Sequence, residues 1–334
     1  MQTVGWAALF LVSAGVVVRS GLSLSKAGDH LAEATGLGRL WVGTILLAIA
    51  TSLPELVTNL SAVRFDAPAL AGGNVLGANM LNIVTLAALV SLFPKAVVRP
   101  MGRDQQILVG TALFLTAVVV AAIVFGSEWN VGPVGLGTFL IIWGYIIGIG
   151  FVLRALDNQG KAEPQEEGKP AAQVPLGRVW GWFALAAGGV LIAAPVLAVS
   201  ADRLADILGI SGSFMGVLAV ALVTTMPEMS VTWGALRLGS ETMALGNVYG
   251  SCAFNILILA FADLLYPKPI FLALDRSHIA AGVGACFLMG LGPAFLSLRA
   301  RGKLALSRAL ALVMALGWAG LIYLVLTFAQ HPPA

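Results

Sequence analysis

The chain has 334 residues, of which 59% are hydrophobic and 10% are charged, and its formal net charge is +3. Soluble domains carry about 25% charged residues, so this composition excludes a soluble enzyme and a nucleic-acid-binding protein. The mean hydropathy of +0.93 instead indicates an integral membrane protein. The two cysteines, Cys252 and Cys286, both lie in apolar runs, which argues against a disulfide framework and against a zinc site.

Ten stretches are long and apolar enough to cross a bilayer, because a helix needs about 20 apolar residues to span the hydrocarbon core. The runs are continuously apolar rather than alternating, which favours helices over a β-barrel. We therefore predict an all-α integral membrane protein with ten transmembrane helices. The predicted spans are 5–24, 37–63, 69–93, 105–126, 133–156, 179–200, 212–236, 242–265, 277–297 and 305–329.

The polar stretch 157–178, rich in Pro, Gly and Gln, is predicted to be a flexible linker. It separates five spans in residues 1–156 from five spans in residues 179–334. Lys and Arg concentrate on the cytoplasmic side of membrane proteins. With the N-terminus outside, 15 of the 19 Lys and Arg residues fall on the inner side and 4 on the outer side. We therefore expect a protein of the cell (inner) membrane with both termini outside and the linker in the cytoplasm.

The two halves contain the same motif. TSLPELVTNLSAVR and GGNVLGANMLNI in the first half correspond to TTMPEMSVTWGALR and LGNVYGSCAFNI in the second. The register holds without a gap, because Glu55 pairs with Glu228 and Asn82 with Asn255 at the same offset of 173. Five is an odd number of spans, so the second copy enters the bilayer from the opposite side. Inverted repeats of this kind place a binding site near the midplane, here between the segments 43–90 and 216–262.

Four spans carry polar stripes at helical spacing, and two of these stripes contain a glutamate. A carboxylate within an apolar span costs ~2.5–3.5 kcal/mol on insertion scales, and two such carboxylates repel unless a cation or protons lie between them. We favour a cation site over protonated glutamates that act only as packing contacts. The stripes are Thr51, Ser52, Glu55, Thr58 and Asn59; Thr224, Thr225, Glu228 and Thr232; Asn74, Ala78 and Asn82; and Asn247, Ser251 and Asn255.

All candidate ligands in these stripes are oxygen atoms. Pro54 and Pro227 precede the glutamates and each removes one backbone hydrogen bond, so the carbonyl groups freed near Ala50 and Val223, one turn earlier, are candidate ligands, as are those of Ala48 and Ala221. Hard oxygen ligands suit Ca²⁺, Na⁺ or Mg²⁺, and Mg²⁺ fits less well because it demands a strict octahedron. We expect no cofactor beyond the transported ions.

Glycines lie one turn apart in both copies of the motif, at Gly73 and Gly77 and at Gly246 and Gly250. We interpret them as helix-packing positions, because small residues let membrane helices approach closely. A nucleotide-binding loop would need a preceding strand and a following lysine, and the sequence has neither here.

The repeated Thr/Ser-x-x-Pro-Glu and Gly-Asn-Val-x-Gly-x-x-x-x-Asn motifs resemble the two alpha-repeats of the calcium/cation antiporter superfamily, most closely the prokaryotic sodium/calcium exchangers. The resemblance implies Ca²⁺ exchange for Na⁺ by alternating access, with Glu55 and Glu228 as the shared Ca²⁺ and Na⁺ ligands. It also implies Na⁺ ligation by the flanking hydroxyls and completion of the site by Asn82, Ser251 and Asn255. The first and sixth spans would form a pair that slides across the rest.

Two positions depart from the resembled pattern. Sodium/calcium exchangers often have an aspartate at the position of Asn255 and a serine at the position of Ala78. The site then has a formal charge of −2 from its two glutamates, which one Ca²⁺, two Na⁺ or two H⁺ would neutralise. We therefore hypothesise looser or electroneutral coupling, with protons as an alternative counter-ion.

Three other functions remain open at this point. A Ca²⁺/H⁺ exchanger, or another divalent/monovalent exchanger, is compatible with the paired asparagines. A cation channel also carries midplane carboxylates, and an intramembrane enzyme is disfavoured by the symmetry of the motif. The expected partners are inorganic cations and the lipid bilayer, with no nucleic acid or nucleotide, and we expect a monomer to suffice for transport.

Overall fold

The computed structural model describes residues 2–92, 100–126, 130–131, 134–158, 175–207 and 225–330. Almost all of these residues are helical, and one antiparallel pair of two-residue strands, β1 (Asn130–Val131) and β2 (Val134–Gly135), precedes a helix. The helices are α1 (Gln2–Thr35), α2 (Arg39–Trp41), α3 (Ala48–Arg64), α4 (Pro68–Leu92), α5 (Arg103–Phe125), α6 (Leu136–Asn158), α7 (Leu176–Ile207), α8 (Met226–Arg237), α9 (Glu241–Leu265), α10 (Arg276–Ala300) and α11 (Leu304–Gln330).

The predicted all-α membrane fold is confirmed. Within the part of the chain that the structure describes, nine helices are long and apolar enough to cross a membrane, with α2 and α3 counted as one span of Arg39–Arg64. The predicted seventh span, 212–236, is described only from Thr225 onward, as α8. The central helix α9 is the most deeply buried of these spans, because 78% of the residues in its apolar stretch are buried inside the protein.

Two helices are longer than predicted. α1 continues to Thr35 rather than ending near 24, and α7 covers Leu176–Ile207 rather than 179–200. Hydropathy places the end of a span where the apolar run gives way to charged residues. The helix itself continues past that point when one of its faces still packs against an apolar surface. Ala27 and Leu31 are buried in this extension of α1, and Arg39 pairs with Asp29 at 2.6 Å beside its end. The predicted linker 157–178 is shortened accordingly, and its residues 159–174 lie outside the described part.

The repeat is visible in the helix boundaries. α4 and α9 begin and end at positions that differ by the same 173 residues, and α5 and α10 also begin 173 residues apart. Asn79 Nδ2 donates to the carbonyl of its own equivalent, Cys252, over 3.0 Å, and Cys252 Sγ lies 3.9 Å from the Asn79 carbonyl. A residue that contacts its own equivalent must lie beside the pseudo-twofold axis. The axis therefore passes between α4 and α9.

The second span contains a π-helix, Val42–Leu47, between α2 and α3. This segment packs directly onto the backbone of α9. A Cβ atom at Gly250 would lie 2.6 Å from the Thr44 carbonyl oxygen, and one at Gly43 would lie 2.4 Å from the Met243 carbonyl oxygen. Glycine is required on both sides of this contact, because no side chain fits between the two backbones.

Gly250→Ala is therefore expected to destabilise the protein by ~1–3 kcal/mol or more, since overpacking against backbone cannot be relieved by a rotamer change. Thermal unfolding of the purified protein in detergent measures the effect. Gly110→Ala is the matched control, because no described atom lies within 4 Å of a Cβ atom at that position. Equal melting temperatures for the two variants would contradict the close approach.

Candidate functional site

The two repeated glutamates lie in the interior of the bundle. Glu55 in α3 is 5% exposed and Glu228 in the first turn of α8 is 2% exposed. Ser52 Oγ, one turn before Glu55, donates a hydrogen bond of 3.1 Å to Glu228 Oε1. The structure therefore brings both copies of the motif into one site.

Thr51 connects α3 to α9 on the same side of this site. Its hydroxyl donates to the carbonyl groups of Leu47 and Ala48 at 3.0 and 3.2 Å, and it lies 3.4 Å from Ser251 Oγ. The Ala48 carbonyl, a predicted ligand, accepts this hydroxyl in addition to the i+4 amide hydrogen bond of the helix. Thr51, Ser52 and Ser251 are all fully buried.

The second copy of the motif is only partly described. Thr225 is 1% exposed and directly precedes α8, whereas Thr224 and Ala221 lie outside the described residues. Pro54 stands inside α3 as expected. Pro227 stands in the first turn of α8, a position that tolerates proline because its missing N–H would be unpaired there.

The asparagines of α4 and α9 form a short hydrogen-bonded chain. Asn255 Nδ2 donates to Asn79 Oδ1 over 3.0 Å, and Asn79 in turn donates to the Cys252 carbonyl. Asn79 was missed by the sequence analysis, because it lies outside the predicted stripe of Asn74, Ala78 and Asn82 and its equivalent is a cysteine. The offset of 173 pairs Asn79 with Cys252, and this pairing was the available signal for Asn79.

Several buried oxygen atoms in this site have no hydrogen-bond donor within the described residues. They include Glu55 Oε2, Glu228 Oε2 and Asn255 Oδ1. An unpaired buried acceptor costs about 1–3 kcal/mol, and more when it is charged. These are hard oxygen atoms of the kind that Ca²⁺ and Na⁺ prefer. Asn82, another predicted ligand, is 2% exposed and lies one turn after Asn79 in α4.

The glycine and asparagine positions of the motif differ between the two copies. Gly246, Asn247 and Gly250 are buried, whereas Gly73 is exposed and Asn74 and Gly77 are half-buried. The predicted stripe of Asn74 and Asn82 on α4 therefore runs from the edge of the protein into its interior.

Other acidic residues hold the ends of helices. Asp263 accepts a hydrogen bond of 2.6 Å from the Ile270 amide, and Asp275 caps α10 by accepting from the Ser277 amide at 2.8 Å. Partial burial opposes ionisation of Asp275, but hydrogen bonds from Ser277 and His278 hold its pKa below the usual value. Among the described residues, no group of three or more His, Cys, Asp and Glu side chains is placed to hold a metal ion.

Comparison with known proteins gives consistent matches. The profile of the sodium/calcium exchanger protein family matches residues 5–152 and 178–327. The inner membrane protein YrbG of Escherichia coli is 29% identical over 79% of this chain and 81% of its own length. The sodium/calcium exchanger MaX1 of Methanosarcina acetivorans is 28% identical over 73% and 79%.

The fold also matches a solved structure. The sodium-calcium exchanger NCX_Mj, soaked with 10 mM Na⁺ and zero Ca²⁺, superposes with a TM-score of 0.70 over 93% of this chain and 98% of that one. The identity in this match is 22%, so it bears on the fold alone.

Proposed function

Because the chain belongs to the sodium/calcium exchanger family, we propose that it is a secondary active antiporter that exchanges Ca²⁺ for Na⁺ across the membrane by alternating access. One observation carries this proposal. Two buried glutamates from inverted repeats share one site through the Ser52–Glu228 hydrogen bond, and each has one carboxylate oxygen without a hydrogen-bond partner among the described residues.

The ions would bind to the oxygen atoms that converge on this pair. Glu55 and Glu228 would coordinate Ca²⁺ and share in Na⁺ binding. The buried hydroxyls and amide oxygens next to them would complete the coordination. The proposed further ligands are Thr51, Ser52, Thr224, Thr225, Ser251, Asn82, Asn255 and the carbonyl oxygens of Ala48 and Ala221.

Charge neutralisation explains why transport would be obligatory exchange. An empty site leaves two carboxylates uncompensated in a medium of low dielectric constant, which is costly. Reorientation of the empty site between the two membrane faces would therefore be slow. One Ca²⁺ or two Na⁺ cancel the formal charge of −2, and the loaded site would reorient readily.

The remaining assignments follow from the sequence. The basic residues favour both termini outside the inner membrane and the linker in the cytoplasm. The two repeats, 1–156 and 179–334, would act as the halves of one transporter, with the monomer sufficient for transport. The protein would act as a transporter and not as an enzyme, because the symmetry of the duplicated motif argues against the asymmetric arrangement that an enzyme would need.

Exchange of ⁴⁵Ca²⁺ in reconstituted vesicles tests the counter-ion. With Na⁺, K⁺ or H⁺ as the only counter-gradient, we expect rapid Ca²⁺ movement with Na⁺ alone. Uptake driven equally well by a pH gradient without Na⁺ would instead support a Ca²⁺/H⁺ exchanger. Flux without any counter-ion, together with single-channel currents, would support a channel.

A further inference from the structure

A groove of about 630 Å³ runs along the surface of the bundle between α5 and α6. Its lining residues are glycine, aliphatic or aromatic, apart from Thr111, whose hydroxyl already donates to the Ile107 carbonyl over 2.9 Å. Phe114, Trp143 and Phe151 line the groove and are each about half exposed. Because both helices are membrane spans, the groove opens toward the hydrocarbon of the bilayer.

Small residues create this space. A Cβ atom at Gly148 of α6 would collide with the side chain of Thr111, so glycine lets the two helices approach there. A Cβ atom at Gly110 of α5 would have no described atom within 4 Å, so this glycine leaves a gap beside the contact. The offset of 173 places Val283 and Leu321 at these two positions of the second repeat. The glycines of the groove therefore belong to the first repeat alone.

Two arginines lie together at one end of the groove. Gly148 of α6 packs against Thr111 of the antiparallel helix α5. When the same register is continued toward the end of α6, Arg154 comes opposite position 105, within one turn of Arg103. The two guanidinium groups can therefore reach the same bound group.

Both arginines also continue the faces that line the groove. Arg103 stands one turn before Ile107, and Arg154 stands one turn after Phe151. Both side chains are exposed, and neither forms an ion pair within the described part of the chain. Asp104, the neighbouring acidic residue, is buried and does not line the groove. This end of the groove is therefore positively charged.

The dimensions and the chemistry of the groove fit a single lipid. Its lining extends along α6 from Phe139 to Phe151, which is ~18 Å at 1.5 Å per residue. One leaflet occupies half of the ~30 Å hydrocarbon core, so the groove is about as long as one leaflet is thick. Apolar walls suit an acyl chain, and a guanidinium group binds a phosphate through two parallel hydrogen bonds.

We propose that the groove between α5 and α6 binds one phospholipid with an anionic headgroup. An acyl chain lies along the groove, and the lipid phosphate lies between Arg103 and Arg154. In the orientation predicted from the basic residues, this lipid belongs to the cytoplasmic leaflet. None of the proposed ion ligands lies on α5 or α6, so this inference is independent of the proposed exchange.

Native mass spectrometry of the full-length protein in detergent tests the headgroup contacts. The protein is titrated with phosphatidylglycerol or with phosphatidylcholine of the same acyl chains. We expect the first bound lipid to be phosphatidylglycerol, and each arginine should favour it by about 5-fold, the effect of one basic residue near an anionic membrane surface. The double variant Arg103→Gln/Arg154→Gln should lose this preference.

The double variant Arg178→Gln/Arg237→Gln is the matched control. It removes two exposed cations from α7 and α8, on the same predicted side of the membrane, and should keep the wild-type preference. Equal affinity of the wild-type protein for the two lipids would overturn the proposal. An equal loss of preference in the two double variants would overturn it as well, because it would show attraction to the overall charge alone.

Gly110→Leu tests the acyl-chain contacts, because it fills the groove without displacing a described atom. It should weaken the first binding step for both lipids. The matched control is Gly290→Leu on α10, where a Cβ atom also has no described atom within 4 Å. If Gly110→Leu does not fold, Gly110→Val places there the side chain that the second repeat has at Val283.

Two results of this comparison would overturn the proposal. Wild-type lipid affinity in the folded Gly110 variant would show that no acyl chain occupies the groove. A protein dimer that the Gly110 variant dissociates would show that a second copy of the chain covers the groove instead of a lipid.

Discussion

Replacing Glu228 with glutamine is expected to abolish Ca²⁺ exchange, and Glu55→Gln is expected to do the same. Each change lowers the formal charge of the site from −2 to −1, so a bound Ca²⁺ leaves an uncompensated positive charge. At about 4 Å and an effective dielectric constant of ~20, two unit charges attract by about 4 kcal/mol, so the loss for a divalent ion is at least roughly 1,000-fold in affinity. Calorimetric titration with Ca²⁺ and vesicle ⁴⁵Ca²⁺ flux measure the loss.

The fold should survive the first of these changes. Ser52 donates to Glu228 Oε1, and the glutamine carbonyl can accept the same hydrogen bond. Glu241→Gln is the matched control, because Glu241 lies in the first turn of α9 and outside the proposed site. Wild-type exchange rates in both the Glu55 and the Glu228 variant would show that the ions bind elsewhere.

Voltage should have little effect on exchange by the wild-type protein, and Asn255→Asp should make exchange voltage-dependent. With two carboxylates, one Ca²⁺ and two Na⁺ both give a neutral site, so a cycle moves no net charge. A third carboxylate would neutralise a third Na⁺. One charge would then move in each cycle of three Na⁺ for one Ca²⁺.

The position of Asn255 favours this outcome. Its amide donates to Asn79 Oδ1, and Asn79 is held in that orientation by the Cys252 carbonyl. A carboxylate there would face an amide oxygen, and a monovalent cation bridging the two would relieve the repulsion.

Ca²⁺ flux is measured in vesicles clamped at different potentials under a fixed Na⁺ gradient. A strong response to potential in the wild-type protein would reject electroneutral exchange, and an unchanged response in the variant would reject the role assigned to Asn255.

Much of this architecture could be predicted from the sequence, because the two copies of the motif are separated by a constant offset of 173 residues that can be read from the residue numbers. Hydropathy located the spans, and an odd number of spans per half required the second copy to be inverted. The meeting of Glu55 and Glu228 then followed from symmetry. The extra length of α1 did not follow, since apolar content says nothing about an amphipathic extension.

Other features lay beyond the sequence because they depend on contacts between helices. The π-helical turn at Val42–Leu47 is defined by hydrogen bonds that no residue pattern marked. Asn79 was overlooked since its equivalent is Cys252.

The contact between Asn79 and Cys252 has an evolutionary consequence. In a dimer of two identical separate chains, any side chain beside the twofold axis meets a copy of itself, so it must be complementary to itself. Joining the copies into one polypeptide removes that requirement at the axis first. The asparagine opposite a cysteine at this point is a difference that a dimer of identical chains cannot carry, and it lets the residues on the two sides of the axis change independently.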